Sequence, residues 1–160
     1  MRYFLIMIIA LILTILPLPV ALAIFRPAWV LLVILYIELF NTEEFRLSLL
    51  FFIGLILDAL LATVIGEHTF ALIFVSFLVL GKVRRFHLYS LSQQTLFIGL
   101  YCGLYQFIIY LIDAFLGYNS SLSQVLLSSL TSMLLWPWLQ ALLEKFVAPK
   151  FDSKNKQYIL

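Results

Sequence analysis

Charge is what this chain lacks most. Asp, Glu, Lys and Arg make up 11% of its 160 residues, less than half of the roughly 25% of an ordinary soluble domain. No stretch is polar enough to form a separate soluble domain. That excludes a cytoplasmic enzyme, a nucleic-acid-binding domain and a disordered linker. Cysteine is nearly absent. Cys102 stands alone inside an apolar run, so it forms no intrachain disulfide and builds no metal site by itself. Histidine is limited to His68 and His87, which fall in different connections. No Gly-rich phosphate loop is present, and no Ser, His and Asp set stands in plausible register for nucleophilic catalysis.

What is present is apolar. Hydrophobic residues account for 64% and aromatics for 16%, and the mean hydropathy is +1.12. This is the composition of a small all-α integral membrane protein, because only helices or closed barrels satisfy their backbone inside lipid. Six apolar blocks follow one another: 3–24, 28–40, 47–65, 69–81, 95–116 and 125–147. Pro17 and Pro19 end or kink the first near Leu16. The Ala21-Leu22-Ala23 run resembles a signal-peptide cleavage site. The basic leader is almost missing, however, so the block is taken as a first span. Pro27 suits the first turn of the second helix. The second and fourth blocks are short for about 30 Å of hydrocarbon. The expected architecture is therefore a bundle of six transmembrane helices, or five if one short block is re-entrant. Residues 1–148 form a single transmembrane domain, and 149–160 form a short basic tail.

Six spans sort the basic residues. Arg2, Arg46, Lys82, Arg84, Arg85, Lys145, Lys150, Lys154 and Lys156 fall on one side, and Arg26 alone falls on the other. The Lys and Arg excess marks the cytoplasm, so both termini are expected there. The cluster Lys82, Arg84 and Arg85 is expected to meet anionic lipid or an acidic partner surface.

Ionisable groups inside spans need a reason. Glu38 lies near the cytoplasmic end of its block and is expected to reach water. Asp58 lies in the outer half of its span. Gly54, Asp58 and Ala62 share one face at a spacing of four. Asp58 is either satisfied within the bundle, protonated or paired, or it serves a partner or ligand. Arg26 would be eased by an ion pair with Asp58 or Asp113, or by an outer-leaflet headgroup.

Two faces are expected to pack against protein. Gly99, Gly103, Gln106, Tyr110, Asp113 and Gly117 make a stripe on the fifth span, opened by a small-xxx-small pair. Ser128, Ser132, Trp136, Gln140 and Glu144 make another on the sixth. Pro137 should kink that span. Trp136 and Trp138 diverge by about 200° around it. Trp136 shares the polar stripe and is assigned to the bundle. Trp138 is left for a partner helix or lipid.

Four features carry a family resemblance. Phe25-Arg26-Pro27-Ala28-Trp29 opens a span, with Pro27 and Trp29 among its marks. Gly54 to Asp58 is followed by Leu60, although Ala59 interrupts the usual Asp-Leu step. Asp113 sits in a long span. Leu135-Trp136-Pro137-Trp138 stands near the end. Over essentially its whole length the chain resembles the MreD family, rod shape-determining proteins of the bacterial inner membrane. The resemblance implies a non-catalytic scaffold of the cell-elongation complex, with no cofactor. It implies a bitopic MreC-like partner and, through the complex, MreB, RodA and a class B penicillin-binding protein. It also implies a fold like that of the substrate-binding subunits of ECF transporters. Thr63-Val64-Ile65-Gly66 replaces a more polar connection of the family.

Two other function classes stand beside the scaffold. A small-molecule-binding or transport subunit would line a cavity with Glu38, Asp58, Gln106 and Asp113, although no inverted repeat supports transport. A lipid-modifying enzyme would need more metal-binding oxygens than two carboxylates supply.

Overall fold

The computed structural model describes residues 2–16, 25–40, 47–118 and 121–147. Pro17, Pro19, the Ala21-Leu22-Ala23 run, Arg46 and the basic tail lie outside the described residues. The described residues form helices without any strand. The helices are α1 (Arg2–Ile15), α2 (Trp29–Phe40), α3 (Leu47–Leu61), α4 (Glu67–Leu80), the single turn α5 (Val83–Phe86), α6 (Leu91–Leu116) and α7 (Leu122–Val147).

The shortest long helix is the centre of the molecule. α2 has 12 residues, about 18 Å of rise. It packs against α1, α4, α5, α6 and α7. Val30 through Tyr36 are all buried, so no lipid-facing stripe remains. A helix that is apolar all round belongs inside a protein, and this one is. Its encasement overturns the expectation for Glu38. That side chain is 0% exposed and lies against Ser76 of α4 rather than reaching water.

Successive long helices run in alternate directions. One end of the bundle gathers Thr14, Arg26, His68, Tyr105, Gln106 and Ser128. At the other end the His87 ring meets the Leu39 carbonyl at 2.8 Å. α6 and α7 have 26 residues each, about 39 Å, and among the described residues they are the two helices long and apolar enough to cross a membrane. Their outer surfaces carry Leu100, Phe115, Leu126 and Leu134, all more than half exposed. Apolar surface this extensive is unsuited to water and suits a bilayer.

Local signals set the helix ends. Ser90 and Gln93 form a capping box at the start of α6, which satisfies two of the first-turn donors. Gly117, at φ 81°, closes the same helix in the left-handed region. α3 ends at Leu61, short of the expected Ile65. Ala62 has left the helix at φ 52°, so the Gly54–Asp58 stripe stops before it. α7 continues through Pro137.

Candidate functional site: a buried carboxylate, an apolar groove and an exposed basic turn

Asp58 organises the tip of the α3–α4 hairpin. Its side chain is 1% exposed. Oδ2 accepts the N–H of Gly66 at 2.8 Å and the hydroxyl of Thr69 at 3.1 Å. Oδ1 accepts the N–H of His68 at 2.9 Å and faces its Nδ1 at 3.0 Å. Gly66 is the N-cap of α4, so the carboxylate takes up backbone donors that a helix start leaves unpaired. An anion at a helix N-terminus is also favoured by the helix dipole. Of the two readings open for Asp58, the geometry is that of a carboxylate satisfied within the bundle.

Gly54 makes the hairpin possible. A Cβ there would lie 2.5 Å from the Thr69 Cα, so only glycine permits this approach of α3 to α4. Thr69 then stands where it can reach Asp58. The Asp58–His68 pair was not legible as a pair. The available signal was the run Thr63, Gly66, His68 and Thr69, donor groups in a short connection just after a buried acid.

Arg26 is held differently from either expected ion pair. The one ion pair recorded among the described residues joins Asp58 to His68, and Arg26 pairs with neither Asp58 nor Asp113. The Asp58 oxygens are already occupied by the hairpin. The backbone around Arg26 is instead pinned to α7. Ser128 Oγ donates to the Arg26 carbonyl at 2.6 Å, and the Ala28 N–H donates to Ser132 Oγ at 3.1 Å. Gln106 Nε2 completes the chain by donating to Ser128 at 3.0 Å. The stripes on the fifth and sixth spans therefore meet each other and the start of α2. Pro27 is buried at this junction, and Asp113 is half-buried further along α6.

Gly99 and Gly103 both face α7, unequally. A Cβ at Gly99 would come within 2.9 Å of the Met133 sulfur. At Gly103 the nearest atom would be Ser129 Cβ at 3.5 Å, an ordinary contact.

The two indoles of the Trp-Pro-Trp run part as their spacing requires. Trp136 is 1% exposed and meets the edge of Phe86 at a centroid distance of 6.5 Å. Trp138 is 79% exposed. It borders an apolar groove of about 570 Å³ between α1 and α7. Leu5, Ile9 and Leu13 form one wall, Leu142 and Phe146 the other, and Trp29 and Val33 the floor. Lys82, Arg84 and Arg85 are exposed on the turn around α5.

The model of the family of rod shape-determining protein MreD matches residues 1–146. The chain belongs to the MreD family. It is also 29% identical over 138 residues to the rod shape-determining protein MreD of Haemophilus influenzae, covering 86% of this chain and 85% of that one. No solved structure matches significantly. As an MreD-family protein the chain has a shape-determining role and not an enzymatic one. The Arg26-Pro27-Trp29 opening and the Trp136-Pro137-Trp138 run each have a structural place. The first pins α2 to α7, and the second divides an interior from an exterior indole.

Proposed function

We propose that this MreD-family chain is a multi-pass inner-membrane scaffold of the cell-elongation complex, and that the α1–α7 groove seats the transmembrane helix of an MreC-like bitopic partner. The observation that carries this reading is the groove itself. It is long, apolar and flanked by an exposed Trp138. Large aromatics dominate helix-in-groove contacts. Burial of such a side chain against a second helix gives packing that lipid tails supply less well.

In this reading all six long helices cross the membrane and both termini are cytoplasmic. Residues 1–148 form the membrane domain and 149–160 a basic tail. The shorter helices are accommodated by local thinning and by the interior position of α2. Lys82, Arg84 and Arg85 face the cytoplasmic leaflet, where each basic group near anionic lipid contributes roughly 1 kcal/mol. MreB, RodA and a class B penicillin-binding protein are reached through the complex. The likeness in fold to ECF substrate-binding subunits belongs to this same reading.

The test is crosslinking from photoreactive residues placed at Leu5, Ile9, Trp138 and Leu142, with Phe77 and Phe115 as lipid-facing controls. Crosslinks to the bitopic partner from the groove positions alone are expected. Crosslinks spread equally over all positions, or confined to the controls, would overturn the groove as the seat.

A further inference from the structure

A second opening lies at the Arg26 end of the bundle, on the far side of Trp29 from the groove. It has a volume of about 210 Å³, the share of about seven liquid waters. Thr14, Arg26, His68, Gln106, Gln124 and Ser128 supply its polar lining, and Leu57, Leu61 and Ile109 are among its apolar walls. We propose that this cavity binds a singly charged phosphodiester, held by the guanidinium of Arg26 and presented either as a lipid headgroup or as a free solute.

Three observations carry it. First, Arg26 Nε is buried without a hydrogen-bond partner. A buried donor left unmade is costly, and an incoming acceptor would relieve it. Second, the guanidinium pairs with no acid among the described residues, and Asp58 is taken up by Gly66, His68 and Thr69. Third, the backbone beneath Arg26 is clamped by Ser128 and Ser132, so the side chain starts from a fixed root. A rigid root preorganises a binding group.

The chemistry of the lining selects the ligand. A guanidinium fork matches two oxygens of a phosphate or carboxylate. Gln124, with its amide donor, stands in the same lining. Glu67 and Asp113 stand at this end too, close enough to act on each other electrostatically, and Asp58 lies behind His68. These carboxyl groups oppose a dianion, so a monoanionic diester is favoured over a phosphate monoester. The volume of about 210 Å³ admits a headgroup of this size.

The full chain, purified in a neutral detergent, is titrated with three probes while thermal unfolding is followed. These are dihexanoyl phosphatidylglycerol, its acyl-free headgroup glycerophosphoglycerol, and uncharged dihexanoylglycerol. Stabilisation by the first alone identifies the lipid source. Stabilisation by the first two identifies the headgroup itself. Equal stabilisation by the uncharged lipid overturns the proposal, as does none by either diester. Arg26→Gln should weaken diester binding about ten- to a hundredfold, the worth of a charge-assisted hydrogen bond. Arg26→Lys, which keeps the charge and loses the fork, should bind with intermediate affinity and decides the matter if Arg26→Gln does not fold. Undiminished binding by the Arg26 variants overturns the site. Joint replacement of Lys82, Arg84 and Arg85 by Gln removes the general attraction of that surface for anionic lipid; diester stabilisation that persists in this variant belongs to the cavity, and its complete loss would overturn the site.

Discussion

Asp58 and His68 hold each other across ten residues of chain. The Asp58 carboxylate accepts the His68 N–H at 2.9 Å and faces its ring Nδ1 at 3.0 Å. With Gly66 and Thr69 bound to the same carboxylate, the tip of the α3–α4 hairpin is built around one buried acid. His68 in turn lies edge-on to Tyr105 of α6, with ring centroids 6.1 Å apart. The hairpin tip is thus tied to the long helix pair.

Replacing Asp58 tests that arrangement. Asp58→Asn keeps the shape but presents an amide donor where a second acceptor oxygen stood. Each buried donor left unpaired costs roughly 1–3 kcal/mol. Both Asp58→Asn and Asp58→Ala are expected to lower the melting temperature in detergent and the level of protein in membranes. Wild-type melting in both variants would mean that the carboxylate has no structural role.

Two of the glycines that face a neighbouring helix should behave differently. Gly54→Ala would drive a Cβ into the Thr69 backbone, and α4 would have to move away from Asp58. Gly103→Ala places a methyl at an ordinary distance from Ser129. Loss of folded protein is expected for Gly54→Ala and near-wild-type melting for Gly103→Ala. Equal tolerance of both would show that the α3–α4 approach is looser than its geometry.

Trp136→Ala empties a fully buried site beside Phe86. A buried aromatic truncated to alanine costs about 3–5 kcal/mol, so a large fall in melting temperature is expected. Trp138→Ala removes an exposed ring and should leave melting almost unchanged while weakening pull-down of the bitopic partner. Partner recovery at wild-type levels with Trp138→Ala would assign that ring to lipid instead.

The alternation of helix direction sets the topology test. Cys102 is 0% exposed, so the native thiol gives little background to a membrane-impermeant label. Cysteine introduced at Arg84 should label from the cytoplasmic side, and cysteine at Ser121 from the outside. Labelling of both from one side would rule out the six-span arrangement.

Much of this protein is determined by its sequence alone. Low charge and six apolar blocks dictate a helical membrane protein, because lipid leaves the backbone no other partner. The spacing of Ser128, Ser132 and Trp136 puts them on one helix face. Helical geometry likewise sends Trp138 away from Trp136. These properties are local or periodic, so they survive without knowledge of neighbours. Tertiary structure decided the rest. Glu38 is buried and not wet because four other long helices surround α2. Arg26 does not pair with Asp58 because the Asp58 oxygens belong to residues eight to eleven positions away. The α2 entry is pinned by Ser132, 104 residues from Ala28. A hydrogen bond depends on where two groups meet in space, and no spacing along the chain encodes a meeting across that distance.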